Sequence, residues 1–299
     1  MTPPDFLIPS PLHLLKDPVL EKSGIEFYLK RDDLIHAEIS GNKWRKLKYN
    51  LIKAEELGFK KLLTFGGAYS NHIYATAAAG HYFGFDTLGI IRGNELDSRA
   101  NLTLRFASEM GMEFIFTERN DYRSKEWFYE KFSQEYYIIP EGGSNSFAIP
   151  GTAEITDEIY SELIPDYIAC AVGTGGTLAG IISKCHAQTR VIGFSALKNG
   201  SFLQDDILQL TGNQAIFCSW EIETENYHFG GYAKTKPTLI EFIKAFEIRN
   251  PGVKLDQVYT GKMMFGLYDM IQKNSIKSGT KIVAIHTGGL QGRSPLLDQ

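Results

Sequence analysis

Cysteine is scarce in this chain: three in 299 residues, at Cys170, Cys185 and Cys218. Their spacing fits neither a CxxC pair nor a zinc pattern, and an odd number makes a poor disulfide framework. No apolar run approaches the ~20 residues that a membrane-spanning helix needs. Neither sign of charge is in excess: 31 basic and 35 acidic residues leave a formal net charge of −4. A nucleic-acid footprint is therefore missing. Neither GxGxxG nor GxxxxGK[ST] occurs, which removes two common nucleotide-loop signatures. Internal repeats, low-complexity tracts and clear linkers are also missing. His72 and His81 have no partner at metal-ligand spacing, so no metal is expected. Met1–Pro11 holds four prolines and no targeting pattern. A cytoplasmic protein without membrane or nucleic-acid partners is the expectation.

What is present is an ordinary globular composition, 43% hydrophobic and 22% charged, long enough for a substantial core. Apolar runs alternate with helical stretches. Lys61–Phe65 reads as a strand entering Gly66-Gly67, and Ser70–Phe83 as an alanine-rich helix. Strand Thr87–Ile91, a helix over Ser98–Met110, strand Glu113–Phe116, a helix near Ser124–Phe132 and strand Tyr136–Ile139 complete a first block. A second block holds a helix near Gly151–Leu163, strand Tyr167–Val172, a glycine loop, a helix to His186 and strand Val191–Phe194. Gly212–Lys236 reads as irregular and rich in Tyr, Asn and Gly, as functional loops often are. Helices Pro237–Phe246 and Lys262–Asn274 and strand Lys281–Ile285 close the chain. This alternation predicts parallel sheets built from βαβ units. Cys170 lies inside an apolar run and reads as a buried strand residue rather than a nucleophile.

Four turns gather polar groups or glycines at helix starts or after strands, where ligands bind in open α/β sheets. In Ser40-Gly-Asn-Lys-Trp-Arg45, Lys43 stands at a predicted helix start. A helix N-terminus repels cations and favours a neutral amine, which a Schiff-base lysine must become. The alternative is a solvated surface lysine. In Gly66-Gly-Ala-Tyr-Ser-Asn-His72, Ser70 and Asn71 can donate to an anion, or Ser70 can be an ordinary helix cap. Gly173-Thr-Gly-Gly-Thr177 suits backbone approach to a phosphate. The acidic ribose partner of a dinucleotide site is lacking in Val191–Ala196, although this loop by itself does not exclude one. In His286-Thr-Gly-Gly289, the Thr287 hydroxyl can meet a ring nitrogen.

Taken together, Lys30-Arg-Asp-Asp33, Gly41-Asn-Lys-Trp-Arg-Lys-Leu47, Gly66-Gly67 with Ser70-Asn-His72, Gly142-Gly-Ser-Asn145, Thr174-Gly-Gly-Thr177, Val258-Tyr-Thr-Gly-Lys262 and His286-Thr-Gly-Gly289 span most of the chain. In this order they resemble fold-type II pyridoxal phosphate (PLP) enzymes, in particular the D-cysteine desulfhydrase and aminocyclopropane-carboxylate deaminase family. The resemblance implies an α/β fold like that of the tryptophan synthase β chain, with two open, twisted, mostly parallel sheets flanked by helices. A larger PLP-binding domain would comprise residues 1–48 and 146–299, and a smaller domain, 49–145, would close on the substrate. Lys43 would carry the cofactor and serve as base for the α-proton. Asn71 would meet the phenolic oxygen, and Gly173, Thr174, Gly175, Gly176 and Thr177 the phosphate. Thr287 would face the pyridine nitrogen. Ser70, Asn71, His72, Tyr232 and Tyr259 would line the substrate side, with Ser70 and Tyr259 among the catalytic groups. A homodimer is implied as well.

The implied reaction is β-elimination from a small amino acid. D-cysteine comes first, giving pyruvate, ammonia and sulfide. Aminocyclopropane-carboxylate deamination and amino-acid racemisation are the alternatives within PLP chemistry, and a non-catalytic nucleotide-phosphate binder is the rival of another class. In the family pattern, ring-opening deaminases carry Glu after the Val-Tyr pair and Leu in the His-x-Gly-Gly turn. Thr260 and Thr287 stand there, matching the desulfhydrases. Ser40, Ala68-Tyr69, Ile73-Tyr74 and Glu141 depart from the pattern, and all are expected to border the substrate site.

Overall fold

In the computed structural model, which describes residues 4–212 and 214–298, the apolar runs become strands of two separate sheets. The strands are β1 (Leu12–Leu14), β2 (Glu26–Lys30), β3 (Lys61–Gly67), β4 (Asp86–Arg92), β5 (Glu113–Thr117), β6 (Tyr137–Ile139), β7 (Tyr167–Val172), β8 (Arg190–Ser195), β9 (Ser219–Glu223) and β10 (Lys281–Ile285). The helices are α1 (Pro18–Ser23), α2 (Asn42–Glu56), α3 (Asn71–Phe83), α4 (Leu102–Glu109), α5 (Lys125–Phe132), α6 (Ala148–Glu162), α7 (Gly176–Lys184), α8 (Leu203–Leu210), α9 (Pro237–Arg249) and α10 (Thr260–Gln272). One sheet has the order β1-β2-β10-β7-β8-β9, with β1 antiparallel to β2 and every other pair parallel. The other, β5-β4-β3-β6, is parallel throughout.

The near-continuous apolar runs follow from burial on both faces. In β7, Ile168, Cys170 and Val172 pack into one cluster with α6 and α7, while Ala169 and Ala171 pack on the opposite face with α9 and α10. Val283 and Ile285 of β10 join the first cluster, and Ile282 and Ala284 the second. Cys170 is thus a core strand residue, as its surroundings in sequence imply. Phe65 and Ile90 fill one side of the smaller sheet against Tyr122 and Phe128.

Some boundaries differ from expectation for local reasons. The helix expected from Ser98 starts at Leu102, because Asn101 caps it by accepting from the Leu104 amide at 3.0 Å. α6 starts at Ala148, ahead of the expected Gly151, with Pro150 tolerated in its first turn. The segment 212–236 is not irregular throughout. Ser219–Glu223 adds an edge strand to β8, with mixed polar side chains that gave no apolar signal.

A buried ionic cluster seats α2. Arg45, fully buried, donates to Asp32 at 2.9 Å and to Glu158 at 2.5 and 2.9 Å. Lys30 Nζ lies 2.7 Å from the same Glu158. The Lys30-Arg-Asp-Asp33 motif therefore ties β2 and α6 to α2, the helix that carries Lys43 in its first turn. Removing one partner of such a set strands a buried charge, at a cost of about 3–5 kcal/mol.

Candidate active site

The C-terminal ends of β3, β4 and β7 converge on a cavity of about 470 Å³, walled in part by Gly67, Arg92 and Val172. Lys43, second residue of α2, lies in its wall. Burial pushes the Lys43 amine down from 10.5 to about 8. The helix N-terminus was the expected cause; desolvation by burial is the cause seen here.

The glycine loop after β7 forms another wall. Gly175 has φ +79° and precedes α7, and a Cβ there would stand 2.6 Å from Ile207 Cγ1. A Cβ on Gly173 would stand 3.1 Å from the Tyr259 ring. A side chain would strike Ile207 at Gly175 and crowd the Tyr259 ring at Gly173, and both glycines line the cavity with bare backbone. Thr174 Oγ1 lies 2.6 Å from Ser144 Oγ, and Thr177 Oγ1 accepts from Asn42 Nδ2 at 2.9 Å. Gly176 does not line the cavity, against expectation. It packs inward, where a Cβ would stand 2.5 Å from Ser144 Oγ and 3.3 Å from Lys46 Cε.

Ser70 does act as the cap of α3, accepting from the His72 and Ile73 amides at 3.2 and 3.3 Å. That leaves its hydroxyl proton free to donate into the cavity. Asn71 Oδ1 accepts from Gln291 Nε2, and a Cβ on Gly289 would meet Asn71 Nδ2 at 2.4 Å. The turn after β10 thus braces Asn71. His72 is 1% exposed, and neither ring nitrogen has a partner among the described residues. Burial, then Lys43 and Lys46, push its imidazole well below the ordinary value, so it is neutral. Tyr232 and Tyr259 meet edge to face, ring centroids 6.1 Å apart. Burial and then Tyr232 push the Tyr259 phenol well above 10.0. Thr287 lines the cavity too.

Of the residues singled out from sequence, the fold brings together Lys43, Ser70, Asn71, His72, Gly173, Thr174, Gly175, Thr177, Tyr232, Tyr259 and Thr287. Most of the departures do not border the site as expected. Ile73 is buried against Ile91 and Leu104, Tyr74 stacks on Phe106 at 3.8 Å, and Tyr69 is exposed. Helix α3 advances ~100° per residue, so Ser70 to His72 face the cavity and the next two side chains turn away. Ala68 joins the Ile73 cluster. Glu141 does line the cavity, and Lys125 neutralises it at 2.8 Å. Thr260 does not line it: its hydroxyl donates to buried Asp256 at 2.6 Å.

Sequence reasoning missed Lys46 and Arg92. Lys46 is 2% exposed and donates to Gly142 O at 3.0 Å, Ser144 Oγ at 2.9 Å and Thr174 Oγ1 at 3.4 Å. None of the three is a carboxylate. Burial and the neighbouring Lys43 push its amine well below 10.5. Its spacing to Lys43, one helical turn, was the available signal. Arg92 ends β4, its guanidinium 5.6 Å from the Tyr122 ring centroid, and no local motif marks it.

Residues 5–288 match the family model described as pyridoxal-phosphate dependent enzyme. The chain belongs to that family. It is 32% identical over 96% of its length, and 91% of the relative's, to a Pyrococcus horikoshii protein provisionally named 1-aminocyclopropane-1-carboxylate deaminase. It is 34% identical to the Arabidopsis thaliana bifunctional D-cysteine desulfhydrase/1-aminocyclopropane-1-carboxylate deaminase, mitochondrial, over 98% of this chain and 79% of that one. A crystal structure of an ACC deaminase homologue superposes with a TM-score of 0.82 at 28% identity, covering 97% of this chain and 92% of the other. These relatives carry the fold-type II architecture, as expected.

The site fits the cofactor. The loop at Gly173 and Gly175 presents bare backbone to the cavity at the start of a nine-residue helix. Beside it lies the buried Lys46 amine, which has no carboxylate partner among the described residues and which a phosphate dianion would compensate. No metal-ligand cluster occurs among the described residues, and none of their helices is long and apolar enough to cross a membrane.

Proposed function

We propose that this enzyme is a lyase that eliminates a β-substituent from a small amino acid, with D-cysteine as the lead substrate: D-cysteine and water give pyruvate, ammonia and hydrogen sulfide. The observation that carries the reading is the desolvated Lys43 amine, pushed to about 8, in a cavity faced by the Ser70 turn on one side and the glycine loop on the other.

Lys43 would hold the cofactor, Lys46 with Thr174, Thr177 and the amides around Gly175 its phosphate, Asn71 its phenolic oxygen, and Thr287 its ring nitrogen. Bound PLP supplies an electron sink for the charge left when the α-proton departs. Lys43, near neutral pH for an amine, takes that proton from the substrate α-carbon. Ser70 donates a hydrogen bond from its hydroxyl to the substrate carboxylate, and the Arg92 guanidinium, which has no carboxylate partner among the described residues, draws that carboxylate to the Gly67 edge. His72 stays neutral and so adds no charge at the site. Tyr259 keeps its proton at working pH and hands it to the departing sulfur, with Tyr232 packed against it. Residues 49–145, which contain the whole four-stranded sheet, form the proposed closing unit against 1–48 and 146–299.

Elimination rather than cyclopropane opening is favoured by the neutral Thr287 hydroxyl. A carboxylate beside the ring nitrogen would strengthen electron withdrawal, which a good leaving group such as thiolate needs less. The three unpaired cysteines suit a reducing compartment, so we place the enzyme in the cytoplasm. A homodimer is the proposed assembly, testable by light scattering.

The test offers holoenzyme D-cysteine, L-cysteine and aminocyclopropane-carboxylate. Equal amounts of sulfide and pyruvate from D-cysteine are expected, with little 2-oxobutyrate from the cyclopropane. Efficient 2-oxobutyrate release would reverse the choice of reaction. Arg92→Ala should raise KM for D-cysteine more than it lowers kcat; an unchanged KM would remove Arg92 from carboxylate binding.

A further inference from the structure

The segment between β9 and α9 brings Tyr232 to the cavity wall. Its backbone is left-handed at Phe229 (φ 54°), Gly230 (99°), Gly231 (114°) and Ala233 (56°). The two non-glycines are the costly ones, because a Cβ crowds the carbonyl there. Such strain persists only where the surroundings over-determine it.

Lys262 supplies that constraint. It is 1% exposed, and its Nζ donates to His228 O at 2.9 Å and to Gly231 O at 2.8 Å. The same carbonyls accept from the Gly231 amide at 3.0 Å and the Lys234 amide at 3.1 Å. One ammonium therefore closes two consecutive turns. The placement is otherwise unfavourable. Lys262 lies in the first turn of α10, where the helix dipole opposes a cation. Among the described residues it has no carboxylate partner; burial pushes its amine down to about 8, and Asp256 acts on it only through space. A buried charge held only by carbonyls has a reason beyond packing.

We propose that Lys262 is a built-in cation that locks the 226–234 loop in its strained form and so positions Tyr232 for the substrate. This rests on the substrate-side reading of Tyr232 given above. Lys262 is a positioning residue, since it acts through the loop.

Lys262→Met keeps an unbranched stem and removes the charge. In the holoenzyme, the Gly231 and Lys234 amides should exchange with solvent about tenfold faster, as loss of a hydrogen-bonded closure implies. The value of kcat/KM should fall on the order of 10²-fold, the loss that ångström-scale misplacement brings. Absorbance of the lysine-bound cofactor should not change. Methylammonium added to Lys262→Ala should restore part of both losses. Wild-type exchange in Lys262→Met overturns the lock. Faster exchange with wild-type turnover, where Tyr232→Phe is impaired, overturns the positioning and leaves the Tyr232 reading standing. Wild-type turnover in Tyr232→Phe overturns that reading itself. If Lys262→Met does not fold, Ala233→Val strains the loop from its exposed side and should show the same two losses; wild-type behaviour there overturns the proposal.

Discussion

Asp256→Asn tests how Tyr259 is held. The Asp256 carboxylate is 2% exposed and accepts four hydrogen bonds: from the Val258 and Tyr259 amides at 2.7 Å each, from the Thr260 amide at 2.9 Å, and from the Thr260 hydroxyl at 2.6 Å. Together they fix the start of α10 and the Tyr259 backbone. An asparagine oxygen can keep the first two. Its amide nitrogen then faces the Thr260 amide, donor against donor. One buried donor left without a partner costs about 1–3 kcal/mol, and the surviving bonds lose their charge assistance, about 1 kcal/mol more each. A total near 3–5 kcal/mol should lower Tm by roughly 5–8 °C in a chain of this size, at about 1.6 °C per kcal/mol. Turnover should fall more than cofactor binding, because Tyr259 shifts while Lys43 and the glycine loop stay in place. Calorimetry of the holoenzyme and steady-state kinetics with D-cysteine provide the assay. A Tm within about 1 °C of wild type, with kcat unchanged, would refute the argument that this carboxylate holds Tyr259.

Lys43→Ala should lose the lysine-bound cofactor absorbance and nearly all turnover. In wild-type apoprotein, the rate of PLP uptake should rise through about pH 8, as the amine becomes neutral, and level off above; a rate still climbing past pH 10 would contradict the desolvation of Lys43. Gly175→Asp should weaken PLP retention, because it adds a carboxylate and a Cβ 2.6 Å from Ile207 Cγ1 where the backbone faces the cavity; unchanged affinity by equilibrium dialysis moves the phosphate site elsewhere. Tyr259→Phe should leave PLP bound and cut kcat by about 10²–10⁴-fold if its phenol transfers a proton; silent kinetics would reduce it to a packing residue.

The sequence by itself determined the βαβ alternation, because strands buried on both faces must be apolar throughout, as β7 and β10 are. It also determined the chemistry-bearing turns, because glycines and polar caps at strand ends are local signals. Lys43, Ser70, Gly175 and Thr287 were legible for that reason. Short or edge strands such as β1 and β9 were not, since a few residues of mixed polarity carry no period. Tertiary structure alone decided which neighbours of those turns reach the cavity. Ile73 and Tyr74 follow His72 in sequence yet turn into the core, and Gly176 packs inward beneath Lys46. Thr260, one residue from Tyr259, is committed to Asp256. Arg92 and Lys46 enter the site because β4 lies beside β3 and α2 crosses the glycine loop. Such choices depend on contacts between residues far apart in the chain, where helix phase, strand order and burial act together, and no local pattern records them.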